Sequence, residues 1–316
     1  MLSLTELIIG LVVLTAGADL LVRGSVAIAQ HLRIPQLIVG MTIVAFGTSA
    51  PELVISLQAA FEGSGGIAIG NVVGSNIANI LIVLGLPSVI RATLCDAHGT
   101  GRNLMFLVAI TLIFVALCWD GELSRSDGMI LLTLFAIFFG GQLLSMRSAR
   151  SDSSATFEEI DGVPKSLTYA AMFVLAGLVA LPLAADAVVD GATDIATMFG
   201  VSETAIGVTL VALGTSLPEL AAAVMAAMHG HSAVAIGNAI GSNIFNLLAI
   251  MGITAAIVPV GVPPEFFQFE FWAMVGAVFF IVPFVAMCHP ISRTTGALMT
   301  LAYLAVMYAA LGGNAI

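Results

Sequence analysis

Apolar residues fall along the chain in long blocks, and polar residues collect in the short stretches between them. Ten blocks reach membrane-spanning length, at roughly 4–27, 36–61, 66–90, 103–119, 126–146, 166–189, 203–228, 233–259, 267–288 and 292–312. A helix satisfies its own backbone polar groups in lipid, so the pattern predicts an all-α polytopic membrane protein of ten transmembrane helices. The longest hydrophilic segment, "MRSARSDSSATFEEIDGVPKS", separates the fifth block from the sixth. It divides the chain into a first unit (1–146), a linker (147–165) and a second unit (166–316).

The two units repeat one another. "GMTIVAFGTSAPEL" (40–53) aligns without gaps to "GVTLVALGTSLPEL" (207–220), and "IAIGNVVGSNIANI" (67–80) to "VAIGNAIGSNIFNL" (234–247). Both pairs, and "GAD" (17–19) against "AAD" (184–186), share one offset of 167 residues. One register held over some sixty residues marks two homologous halves. Each half has five helices, an odd number, so the second enters the membrane inverted. Inverted repeats with polar, interrupted helices at matching positions point to a secondary transporter.

Composition strengthens this picture. Of 316 residues, 59% are hydrophobic and only 9% charged, far below the quarter expected of a soluble domain. The net charge of −10 disfavours nucleic-acid partners. Cys95, Cys118 and Cys288 are scattered, suggesting neither disulfide framework nor zinc site. Eight of the nine basic residues flank odd-numbered connections: Arg23, Arg33, Arg91, Arg102, Arg147, Arg150, Lys165 and Arg293. Only Arg125 lies in an even one, among acids such as Glu62, Asp120, Glu203 and Glu265. The positive-inside rule makes the odd connections cytoplasmic and puts both termini outside. The first block lacks a basic leader and a cleavage site, and reads as a retained span.

The candidate chemistry sits in the repeated motifs. Pro51 has no N–H, so its helix opens near Gly47 and frees carbonyls that a cation can satisfy. Glu52 follows directly. Ser49 and Ala45 share its helical face, with Thr48 one turn away. Pro218, Gly214, Glu219, Ser216, Ala212 and Thr215 repeat this arrangement from the opposite side. Asn71, Ser75 and Asn79 form a stripe at four-residue spacing, matched by Asn238, Ser242 and Asn246. Small residues, Gly70 with Gly74 and Gly237 with Gly241, let the stripes approach the broken helices. Oxygen-only ligand sets suit calcium, sodium or magnesium. A carboxylate in mid-membrane costs at least about 2.5–3.5 kcal/mol, so two of them argue for ion binding.

Other polar groups read as structural. Asp19 and Asp186 read as solvated helix-end residues, and His229 and His231 as loop residues. "EEIDG" lacks the ligand spacing of a calcium loop. "EGSGG" (62–66) is a turn, with no lysine following as a phosphate loop requires. No metal-binding histidine motif or nucleophile–base pair suggests an enzyme. A cation channel needs a continuous pore, usually ringed by repeated subunits, and the inverted pair of broken helices favours alternating access instead.

"GTSAPE" with "GNVVGSNIAN", and "GTSLPE" with "GNAIGSNIFN", resemble the two alpha-repeats of the Ca2+:cation antiporter superfamily. The likeness is greatest to prokaryotic sodium/calcium exchangers and spans essentially the whole chain. It implies alternating access, with helices one and six sliding across the other eight. It implies a calcium site of Glu52 and Glu219 with the carbonyls of Thr48 and Thr215. One sodium site would use the Ala45 carbonyl, Ser49, Glu52 and Ser75. Its mirror would use the Ala212 carbonyl, Ser216, Glu219 and Ser242, with Asn79 and Asn246 at the centre. The potassium-dependent branch has Asp where this chain has Asn246, so the expectation is Na+/Ca2+ exchange without K+. The acidic signature of proton/calcium exchangers is absent, which ranks Ca2+/H+ exchange second. The remaining expectations are a prokaryotic inner-membrane location, no cofactor and no obligate protein partner.

Overall fold

The computed structural model describes residues 2–151, 163–199 and 212–312. The "EEIDG" cluster, most of the linker and positions 203–211 of the seventh block lie outside the described residues. Described helices are α1 (Leu2–Leu32), α2 (Gln36–Val39), α3 (Ala45–Thr48), α4 (Ala50–Phe61), α5 (Gly65–Leu81), α6 (Gly85–Ile90), α7 (Thr100–Leu117) and α8 (Arg125–Ser151). In the second half follow α9 (Leu167–Met198), α10 (Ala212–Gly214), α11 (Leu217–Met228), α12 (Ser232–Phe245), α13 (Met251–Ile257), α14 (Glu270–Ala286) and α15 (Arg293–Gly312).

Seven described helical stretches are long and apolar enough to cross a membrane, and an eighth span counts if Gln36–Thr48 and Ala50–Phe61, bent by 46°, are one. The helix Leu217–Met228 is apolar but short, and α15 adds twenty residues. Exposed Leu, Ile, Val and Phe side chains cover the outer helices, as expected of a surface whose solvent is lipid. By contrast, α5 and α12 are buried through most of their length and form the centre.

Small residues set the packing. Along α1, Gly10, Gly17 and Gly24 lie against Val188, Ala180 and Ala170 of α9. In return Gly177 and Gly191 of α9 lie against Gly17 and Ser3. Positions rise on one helix as they fall on the other, so α1 and α9 run antiparallel. Gly10 and Gly24 of α1 and Gly177 and Gly191 of α9 are themselves related by the 167-residue offset. A Cβ at Gly24 would come within 2.7 Å of the Ala170 carbonyl oxygen, so the backbones meet there directly.

The connections are tied in the same paired way. Glu122–Leu123 pairs antiparallel with Val260–Gly261, and Thr93 bridges Ile291. Asp19 and Asp186 correct the sequence reading. Both lie well inside the long helices α1 and α9 rather than at their ends, because those helices extend beyond the apolar blocks.

Candidate ion-binding site

Each proline interrupts its helix where its missing N–H and its ring prevent the ladder from continuing. On the first side α3 stops at Thr48, and Ser49 (φ −87°, ψ 8°) caps α4, whose second residue is Pro51. On the second, Ser216 (φ −90°, ψ 2°) caps α11, whose second residue is Pro218. Proline is tolerated there because the first amides of a helix lack partners anyway. Glu52 and Glu219 both fall in the first turn of the resumed helix. The positive end of each helix dipole thus lies beside a carboxylate.

Both glutamates are completely buried, at 0% exposure. The Ser49 hydroxyl donates to Glu219 Oε1 at 2.9 Å, joining the two breaks across 170 residues of sequence. Both oxygens of Glu52, and Oε2 of Glu219, have no hydrogen-bond partner among the described residues. Nor do the buried hydroxyls of Ser75, Ser216 and Ser242, or the side-chain amides of Asn79 and Asn246. Buried polar groups are ordinarily paired, because each unmade bond costs about 1–3 kcal/mol and more for a charge. Seven positions of the repeated motifs therefore depart together from a strong rule, and their free groups are largely oxygens.

The stripes hold the glutamates from behind. Asn71 Nδ2 donates to the Glu52 carbonyl at 3.2 Å and to Ser56 Oγ at 2.9 Å. At the mirror position Asn238 Nδ2 donates to the Glu219 carbonyl at 3.4 Å, while its Oδ1 accepts from Thr48 Oγ1 at 3.5 Å. Ser75 and Asn79 lie one and two turns beyond Asn71, and Ser242 and Asn246 beyond Asn238. The Ala45 carbonyl already accepts from the Ser49 N–H at 3.1 Å and the Thr48 hydroxyl at 3.4 Å. Ala212 opens the three-residue α10, and Thr215 is half-buried. Hydrogen bonds thus link Ser49, Thr48, Asn71 and Asn238 to the breaks. Ser75, Ser216, Ser242, Asn79 and Asn246 share burial and register without bonding to either glutamate.

Sequence reasoning overlooked Asn76 and Asn243, which are also buried, at 1% and 0% exposure. The signal was present, since both stand in "GSN" at the common offset. Asn76 Nδ2 reaches Met274 Sδ at 3.8 Å, and neither Nδ2 nor Oδ1 of Asn243 has a partner among the described residues. Nor did the sequence distinguish Asn71 and Asn238, which support carbonyls, from the rest of their stripes.

A cavity of about 330 Å³ reaches the breaks from one side among the described residues. Pro51, Pro218, Thr215, Ile55, Asp186 and Asp190 line it. Repeat counterparts of Thr215, Ile55 and Val189 on the other side are Thr48, Ala222 and Val22, buried at 1%, 1% and 0% exposure. A shallow apolar groove along Leu11, Val12 and Thr15 on that side touches Asp19 and Met225 but reaches neither proline.

The profile of the "Sodium/calcium exchanger protein" family matches residues 2–144 and 169–312, one match to each half. The chain belongs to the sodium/calcium exchanger family. It is 34% identical to the inner membrane protein YrbG of Escherichia coli K12 over 98% of this chain and 97% of that one. It is 29% identical to the sodium/calcium exchanger MaX1 of Methanosarcina acetivorans, over 95% and 96%. Among solved structures, that of the sodium-calcium exchanger NCX_Mj superposes with a TM-score of 0.81 at 30% identity, covering 98% of both chains. This exchanger is therefore a membrane-embedded secondary transporter of the Ca2+:cation antiporter type, not an enzyme.

Proposed function

We propose that this exchanger moves Ca2+ out of the cell against entering Na+, by alternating access, without K+. Its ten helices form two inverted sets of five, with both termini outside. Glu52 and Glu219 carry the ion, assisted by the carbonyls of Thr48 and Thr215. Ala45, Ser49 and Ser75 on one side, and Ala212, Ser216 and Ser242 on the other, take Na+. Asn79 and Asn246 complete the centre.

The observation that carries this reading is the pair of buried glutamates with three unpartnered carboxylate oxygens between them. Together they hold a charge of −2 when ionised, which one Ca2+ or a pair of Na+ neutralises. A loaded site crosses the low-dielectric interior with little net charge, and an empty one does not. That difference makes the exchange obligatory. Asn246 contributes an amide rather than a third negative charge, which favours K+-independence. Two Na+ for one Ca2+ draws nothing from the membrane potential, whereas a third Na+ adds about 2.3 kcal/mol per 100 mV. More than two Na+ per Ca2+ is accordingly expected, and extrusion is electrogenic.

The test is Ca2+ flux in proteoliposomes under an imposed Na+ gradient, an imposed H+ gradient, or neither. Flux driven by Na+ alone supports the proposal. Flux driven by H+ and indifferent to Na+ replaces it with Ca2+/H+ exchange at the same two carboxylates.

A further inference from the structure

On the closed side of this exchanger Asp19 of α1 meets His229, and no contact at the corresponding positions is seen among the described residues of the open side. On α1, Asp19 Oδ2 accepts from Arg23 Nη1 at 3.2 Å, one helical turn away. Its other oxygen, Oδ1, lies 2.7 Å from Nε2 of His229, in the turn between α11 and α12. An ionised carboxylate only accepts, so Nε2 carries the hydrogen. The contact spans 210 residues and ties α1 to the end of the very helix that carries Glu219. It is partly exposed, the side chains of Asp19 and His229 being 25% and 38% accessible.

The repeat offset gives the counterpart of each member on the open side. Asp19 becomes Asp186, Arg23 becomes Asp190, and His229 becomes Glu62. A cation, an imidazole and a carboxylate on one side are thus replaced by three carboxylates on the other. If the open side closed as the other has, the same approach of helices would bring carboxylates together where the first side gains the Asp19–His229 hydrogen bond. The α9 acids instead face the cavity: Asp186 and Asp190 both line it. The inverted halves match at their breaks, yet their ends have opposite electrostatics.

We propose that the Asp19–His229 contact is a latch that biases the exchanger toward the state open on the Asp186 side. Asp19 and His229 are positioning residues, since neither touches the ion site. The proposal rests on the alternating-access reading above, but not on which ions are exchanged. Closing the far side means sliding α1 and α9 and breaking a contact that nothing on that side replaces.

Thiol labelling in detergent tests the bias without any transport, so its outcome is separable from flux measurements. Cys288, the exposed cysteine, is first replaced by Ser. Ile55→Cys then reports the open cavity, and Ala222→Cys its buried counterpart, each reacted with N-ethylmaleimide in the full-length protein. Asp19→Asn and His229→Gln are each expected to slow labelling at position 55 and speed it at position 222, so that the ratio of the two rates shifts by about two- to fivefold, the worth of a partly exposed polar contact. The double variant should do no more than the larger single one, and His229→Arg, which keeps an N–H donor for Asp19, should restore the original ratio. Unchanged labelling at both positions overturns the latch. So does a rise at both, which signals general loosening, or full additivity of the two changes.

Discussion

Glu52 and Glu219 occupy the same place in the same motif, yet their surroundings differ. Ser49 donates to Glu219, whereas among the described residues the hydroxyl of its counterpart Ser216 has no partner and Glu52 accepts no side-chain hydrogen bond. Thr215 lines an open cavity and Thr48 is buried. The motifs are nearly identical in sequence, so on the alternating-access proposal the difference reflects which side is open. A protein built of inverted halves must break its own symmetry whenever one side is open. The shell of each glutamate records which side that is.

The largest test of this comparison removes one charge at a time. Glu52→Gln and Glu219→Gln should each lower Ca2+ transport by about 100-fold or more, since each removes half the countercharge of a buried ion. Radiolabelled Ca2+ uptake, with size-exclusion profiles to confirm folding, checks it. Near-normal uptake by either variant would remove that residue from the site and make the asymmetry permanent rather than alternating.

A smaller effect is expected from the serines. Ser49→Ala and Ser216→Ala should each weaken ion affinity by about tenfold, the worth of a hydrogen bond to a charged group. Equal losses in flux would mean that the two hydroxyls exchange roles during the cycle. If only Ser49→Ala matters, the observed pairing is fixed and the two halves are functionally distinct.

Asn246→Asp sharpens the same contrast at the centre. It places a third carboxylate with Glu52 and Glu219, and three close negative charges do not all persist without another cation. Na+-driven Ca2+ flux should become severalfold dependent on K+ or on pH, measured with voltage clamped by an ionophore. A variant indifferent to both would place Asn246 away from the ions.

The smallest expected effects concern the supports. Asn71 makes two bonds, at 3.2 and 2.9 Å, while Asn238 makes longer ones, at 3.4 and 3.5 Å. Asn71→Ala should therefore lower thermal stability by more than Asn238→Ala, with about 1 kcal/mol lost per hydrogen bond. Equal melting temperatures would show that the shorter bonds of Asn71 carry no extra weight.

Much of the local geometry of the candidate site was legible because its causes are local. A proline at position 51 or 218 breaks its helix whatever surrounds it, and four-residue spacing puts Asn71, Ser75 and Asn79 on one face in any helix. The offset of 167 was readable because both copies lie in the chain. Asp19 was misread for the converse reason: its meaning depends on His229, 210 residues away.

The sequence alone determined the lipid-facing character, the two halves, the breaks at Pro51 and Pro218 and the carboxylates beside them, since each follows from backbone geometry and solvation within a few turns. Only the tertiary structure decided that Ser49 reaches Glu219, that Asn71 and Asn238 support carbonyls, and that the Asp186 side is open. Those contacts join distant segments, and an alternating transporter keeps two such arrangements close in free energy. Near-identical motifs cannot by themselves indicate which arrangement is occupied.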